Sequence, residues 1–97
     1  MRLKFSAEAR DDIRAEQAWW KANRPKSPLL LSDELRRAFA LIREHPGIGK
    51  RALEVEAEGI QRFHLRGTNR YLYYLVQGDD IEVQRLWNAQ SGEPPPL

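Results

Sequence analysis

Residues 59–87, GIQRFHLRGTNRYLYYLVQGDDIEVQRLW, decide how the chain folds. Gly67-Thr68-Asn69 and Gly78-Asp79-Asp80 are turn signals, and the segments they separate are rich in β-branched and aromatic residues. Three strands follow, Ile60–Arg66, Arg70–Gln77 and Ile81–Trp87, joined as an antiparallel meander. Strand side chains alternate between faces. Phe63 and Leu65 therefore share one side of the first strand, and Arg62, His64 and Arg66 share the other. Such a row of cationic or protonatable groups on a rigid sheet points to an acidic partner, either nucleic acid or an acidic protein segment. The same alternation puts Arg85 with Ile81, Val83 and Trp87, where it is expected to pair with a carboxylate as a structural residue.

Upstream of the meander, Arg2 to Phe5 alternates polar and apolar residues and reads as another strand. Ser6 is a helix N-cap candidate, and Glu8, Asp11 and Asp12 stand in the first turns, where the helix dipole favours acids. Ala9, Ile13 and Trp20 fall on one stripe, predicting a helix to about Asn23. Arg24-Pro25 ends it, because proline disfavours a helical residue before it. Ser27-Pro28 then reads as a second cap with proline at the first helical position. Leu31, Leu35, Ala38, Phe39 and Ile42 recur at helical spacing up to His45-Pro46. The short link makes the two helices a hairpin whose apolar face needs a sheet to lie on. Pro46 to Arg51 reads as a turn, since its glycines do not match a phosphate-loop spacing. Leu53 and Val55 alternate with Glu54 and Glu56, so a short strand or extended lead-in is expected there. The fold class is therefore α+β, in the order β-α-α-β-β-β, with a helix hairpin on a small antiparallel sheet. One domain spans residues 1–90, and residues 91–97, with three consecutive prolines, are expected as a frayed, flexible tail.

At 97 residues, the chain has material for one modest core. An apolar fraction of 41% with 31% charged residues is that of a globular protein rather than a disordered one. A net charge of +2 does not by itself indicate nucleic-acid binding, so the placement of the charge matters more. Twelve arginines stand against four lysines. Arginine makes forked contacts to carboxylates and phosphates, although a high-GC coding bias gives the same ratio. With no cysteine, disulfides and cysteine-ligated zinc are excluded, and a cytoplasmic location is expected. Two distant histidines leave only a carboxylate-based metal site, which nothing in the sequence arranges, so neither metal nor cofactor is expected. No apolar run approaches ~20 residues and no basic-apolar leader opens the sequence, so neither a membrane span nor a signal peptide is expected.

The order strand, helix, helix, strand, strand, strand, together with particular residues, resembles the RelE/ParE superfamily of toxins from type II toxin–antitoxin systems. The residues that carry the resemblance are the opening strand with FSAEARDDI, the pair Trp19-Trp20 before Asn23-Arg24-Pro25, and a second helix ending in EHPGIGKR. The arginine-rich strand, RYLYYLV and a last strand closing on Leu86-Trp87 complete it. It runs from about Arg2 to Trp87.

The resemblance implies two possible chemistries. RelE-like members cut messenger RNA on the ribosome, which takes a base for the ribose hydroxyl, an acid for the leaving oxygen and cations at the phosphate. By position, Arg62 and His64 match the family's basic pair, and Arg70 falls near the next arginine but one place out, which turns a strand side chain to the other face. Asn88, Ala89, Gln90 and Ser91 stand where an arginine and a tyrosine are expected, and Asn88 stands where many relatives have histidine. ParE-like members also lack that set and inhibit DNA gyrase by protein contacts, with no active site of their own. This sequence fits the ParE-like branch better, so DNA gyrase or a related topoisomerase is the expected target and a cognate antitoxin the expected partner in a hetero-oligomer. The alternatives are a ribosome-dependent endoribonuclease using Arg62, His64 and Arg70, and a degenerate member that only binds antitoxin. Partner contacts are expected at Arg62, His64, Arg66, Tyr71, Tyr73, Trp19 and Trp20. Adjacent helical residues point about 100° apart, so either one tryptophan is exposed or both flank the helix pair within the core.

Overall fold

The computed structural model describes residues 1–97. Strand β1 (Arg2–Phe5) leads into α1 (Ala7–Asn23) and α2 (Leu30–Glu44), and a single 3-10 turn at Pro46–Ile48 precedes β2 (Lys50–Arg51). Strands β3 (Ile60–Leu65), β4 (Arg70–Gln77) and β5 (Asp80–Asn88) follow. They form one five-stranded sheet in the order β1-β5-β4-β3-β2, antiparallel except for the parallel pairing of β1 with β5. The α+β class, the helix hairpin and the meander are thus as the sequence predicts. Neither helix is long and apolar enough to cross a membrane.

Local chemistry explains most boundaries. Ser6 caps α1, its hydroxyl accepting from the Ala9 N–H at 3.0 Å. Gln77 pairs with Asp80, leaving the two-residue turn Gly78-Asp79, and Gly78 takes a φ of 57° that few side-chain-bearing residues tolerate. Helix α2 begins later than predicted. Ser27-Pro28 does not cap it; the helix starts at Leu30, with Leu29 at the cap position and no side-chain cap. The Ser27 carbonyl instead accepts the Leu30 N–H at 3.2 Å and the Trp20 indole N–H at 2.8 Å, tying the hairpin loop back to α1.

Both helices cover one face of the sheet. Ala9 and Trp20 of α1, and Leu31, Leu35, Ala38 and Ile42 of α2, pack against Leu65, Leu72, Tyr74, Ile81, Val83 and Leu86. Phe5 meets Phe39 edge to face at 5.3 Å between ring centres. The opposite face carries a smaller cluster of Ala52, Ile60 and Tyr73, flanked by Val55, Tyr71, Leu75, Trp87 and Leu97.

Three further features depart from the sequence reading. The short edge strand is Lys50–Arg51, paired with Arg62 and Gln61, whereas Leu53–Val55 forms no strand and Leu53 is fully at the surface. Residues 91–97 do not hang free as expected: the Trp87 indole donates to the Glu93 carbonyl at 2.8 Å, Pro95 is buried, and Leu97 accepts main-chain bonds from Glu56 and Ala57. Strict alternation also fails in β5. Tyr73 pairs with Arg85 but Tyr74 with Val83, so Gln84 is an inserted residue, a β-bulge. Arg85 and Trp87 are thereby separated from Ile81 and Val83 and turned to the open face, while Leu86 enters the core.

Helix α1 holds the bulge. The Ser6 hydroxyl donates to the Gln84 carbonyl at 2.8 Å, and Asp12 accepts from Arg85 at 2.7 and 3.1 Å and from the Leu86 N–H at 3.1 Å. Arg85 thus has the carboxylate partner that the sequence predicts. Removing Asp12 strands a largely buried guanidinium and a main-chain donor together. Asp12→Ala is expected to lower the unfolding free energy by about 2–3 kcal/mol. The exposed neighbour variant Asp11→Ala is expected to change it by less than about 0.5 kcal/mol. Urea denaturation of both variants measures the difference, and equal losses would show that Asp12 is not an anchor.

Candidate partner-binding surface

Arg62 and His64 leave β3 on the open face, as the alternation predicts. The Arg62 guanidinium lies 4.2 Å from the Tyr71 ring centre, and the His64 ring lies 5.0 Å from the same ring. His64 Nε2 donates to the Asn69 side-chain oxygen at 2.8 Å. Arg66 stands just past the strand end. With Lys50, Ile48, Phe63 and Tyr71, these three basic residues line a cleft of 340 Å³.

A second cleft, of 270 Å³, runs between β3 and α2 and shares Phe63, His64 and Arg66 with the first. Ala38 and Leu41 give it an apolar floor, and Arg37 adds another cation. Glu34 is the acidic residue of that lining, and it is already engaged. Its carboxylate accepts from the Gly67 and Thr68 N–H groups at 2.7 and 2.9 Å, and from the Thr68 hydroxyl at 2.7 Å. The two clefts adjoin along Phe63, His64 and Arg66, and together they make a channel-like surface with a cationic rim and an apolar floor.

Lys50 was not among the residues expected here. It reaches the cleft because the loop before it is pinned: the Tyr74 hydroxyl, on a fully buried side chain, donates to the Pro46 carbonyl at 2.7 Å and accepts from the Gly49 N–H at 2.9 Å. A Cβ at Gly49 would stand 2.7 Å from that hydroxyl, so only glycine fits. Nothing in the sequence spacing reveals this contact.

Beside Arg62, the open face forms a third, more aromatic recess lined by Tyr71, Tyr73, Trp87, Asn88 and the returning tail. One oxygen of Glu54 accepts from both Arg62 and the Tyr73 hydroxyl, each at 2.8 Å. Partial burial works to raise the Glu54 carboxyl, but bonds from its own main chain, Tyr73 and Arg62 together carry it below the usual carboxylate range. Burial, reinforced by Glu54, pushes the Tyr73 hydroxyl up to about 12, so it remains a proton donor at neutral pH. Glu54 sits on a loop and carries no sequence signal as a site residue.

Arg70 is not brought to this face. It is buried on the helix side, ion-paired with Glu16, and donates to the Thr68 carbonyl at 2.8 Å. The structure therefore brings together two of the three groups expected for a ribonuclease, Arg62 and His64. Arg70 joins the tryptophans instead. Trp20 is buried and Trp19 is 43% exposed, so the pair divides between core and surface. The Arg24 guanidinium lies 5.3 Å from the Trp19 ring centre. Trp19 is separated from the cationic channel, with Thr68, Asn69 and Arg70 lining the recess beside it. No cluster of three or more histidine and acidic side chains is arranged to hold a metal ion.

Comparison with known proteins agrees with this architecture. The chain is similar in fold to a structure of the chromosomal ParDE TA system from P. aeruginosa, with a TM-score of 0.76 and 18% identity over 93% of this chain and 97% of that one. It is also similar to the YoeB/ParE toxin from Agrobacterium tumefaciens, with a TM-score of 0.63 and 17% identity over 91% of this chain and 98% of that one. No curated protein matches the chain significantly. The family model for the ParE toxin of the type II toxin–antitoxin system parDE matches residues 3–91. With nearly its whole length matched, the chain belongs to the ParE toxin family of type II toxin–antitoxin systems.

Proposed function

We propose that this ParE-family protein arrests growth in the bacterial cytoplasm by protein contact with DNA gyrase or a related topoisomerase, and that a cognate antitoxin neutralises it in a hetero-oligomer. The observation that carries the antitoxin reading is the pair of adjoining clefts, the channel, bounded by Lys50, Arg62, His64, Arg66 and Arg37 over Ala38, Leu41 and Phe63. A flexible segment with alternating acidic and apolar residues fits such a channel and orders as it binds. The rigid sheet limits the ordering cost to the incoming chain.

The nuclease reading has less support. Arg62 is neutralised by Glu54, Arg70 is buried against Glu16, and Asn88 to Ser91 offer no group that works as an acid or base near neutral pH. One observation keeps a ribonuclease as the second reading: Arg62 and His64 share a cleft with Lys50 and Arg66. Induced expression in a bacterial host is expected to stop growth, and co-expression of the antitoxin from a neighbouring frame to restore it. The purified protein is expected to inhibit gyrase supercoiling and to leave ribosome-bound messenger RNA intact. Codon-positioned cuts that vanish in Arg62→Ala or His64→Ala would put the nuclease first. Unimpaired growth at high toxin level would leave a degenerate, antitoxin-binding member.

Charge reversal tests the channel itself. Reversing Arg62 would bring a second carboxylate beside Glu54, so Lys50→Glu and Arg66→Glu are the cleaner variants. Together they are expected to slow association with the antitoxin by roughly tenfold at low salt, with a smaller loss at high salt where screening already removes the steering. Stopped-flow association rates give the comparison, and unchanged rates at low salt would remove the channel as the docking surface.

A further inference from the structure

The recess beside the channel already holds a carboxylate. Arg62 and the Tyr73 hydroxyl donate to the same Glu54 oxygen, both at 2.8 Å. Each donor is held in place by something other than Glu54. Tyr73 is buried in the cluster with Ala52 and Ile60, and Arg62 lies over the Tyr71 ring. Glu54, in contrast, projects from a loop without helix or strand, and both partners of the ion pair remain about 30% exposed (29% and 31%). Both donors are thus fixed by contacts that do not involve Glu54. Arg62 and Tyr71 also line the cationic channel, so the recess and the channel adjoin at these two side chains.

We propose that Arg62 and Tyr73 form a carboxylate seat for an acidic side chain of a protein partner, and that Glu54 is its resident occupant, which the partner displaces. This deepens the proposed function and rests on its reading that the channel receives an acidic segment. Glu93 lines the same recess, and its charge disfavours a phosphate with two negative charges more than a carboxylate with one. Glu54 thus acts as a competitor in cis. A partner's apparent affinity is reduced by the fraction of molecules in which the seat is taken. The competition is modest, because an ion pair this accessible to water is held only weakly. It discriminates against weak or partial acidic ligands while yielding to one that also fills the apolar floor of the channel.

The test uses a hexaglutamate peptide as probe, with inorganic phosphate in parallel, titrated at low salt into the full chain and followed by the NMR signals of the Arg62 side-chain N–H and the Trp87 indole. Glu54→Gln is expected to bind the peptide about three- to fivefold tighter than the unaltered protein. Glu54→Asp keeps the charge but shortens the reach, and is expected to move in the same direction. Glu56→Gln makes the same charge change on the same loop, where its exposed side chain is two residues from the seat, and is expected to change affinity by less than about twofold. Adding Arg62→Met to Glu54→Gln is expected to erase the gain. Equal effects of Glu54→Gln and Glu56→Gln would overturn the proposal, as would a gain for phosphate without one for the peptide. If Lys50→Glu and Arg66→Glu weaken antitoxin binding while Glu54→Gln behaves like Glu56→Gln, the channel reading stands and the seat alone fails.

Discussion

The β-bulge at Gln84 is the constraint on which both faces of the sheet depend. One inserted residue reverses the alternation of β5, so Ile81, Val83 and Leu86 all reach the helix-side core while Arg85 and Trp87 turn to the open face. Bulges leave main-chain groups short of partners, and here α1 supplies them through the Ser6 hydroxyl and the Asp12 carboxylate. Helix α1 is thus fixed to the strand by polar contacts of defined geometry as well as by burial. Without the insertion, Trp87 would point at the helices, and the aromatic recess beside Arg62 would lose one wall.

Arginine richness divides into two roles once the partners are known. Arg85 and Arg70 are structural, joined to Asp12 and Glu16 of α1, and they tie the meander to the first helix. Arg66, Arg37 and Lys50 border the channel, and the carboxylate beside them, Glu34, is fully used in holding the β3–β4 turn. A small net charge therefore coexists with a strongly cationic surface. Under the proposed function, such a surface would steer an acidic partner on approach, and the apolar floor would supply contacts that persist after docking.

Arg62 stands between these roles. It is on the cationic face, yet it is paired with Glu54 and stacked on Tyr71. Tyr73, held protonated by its burial and by Glu54, completes a polar centre surrounded by aromatic rings. The returning residues 93–97 and the loop at 52–58 pack together over this face, with Leu97 accepting from Glu56 and Ala57. The outer surface of the sheet is consequently half covered by the chain itself, and Arg62 is where the covered and open portions meet.

Elements that depend on near neighbours could be read from the sequence alone. The Ser6 cap, the helical stripes through Ala9, Trp20, Leu31, Leu35, Ala38 and Ile42, and the turns at Gly67–Asn69 and Gly78 are local chemistry, and all are legible in the order of residues. The grouping of Arg62 and His64 followed from period-two alternation in a strand without irregularities. The other features emerge only on folding, because each of them joins residues far apart in the chain. A single insertion in β5 changed the faces of Arg85 and Trp87, and its anchor, Asp12, lies more than seventy residues away, as the separation of 73 from Arg85 shows. The edge strand fell at Lys50–Arg51 rather than at Leu53–Val55 because Tyr74 pins the preceding loop, and Leu97 returned to the sheet because Trp87 and the 52–58 loop offer partners there. Arg70 and Arg66 are similar residues in similar surroundings of sequence, yet one is buried against Glu16 and the other lines the channel. Which face an arginine takes, and which carboxylate meets it, is set by strand register and helix placement, and these are properties of the folded whole.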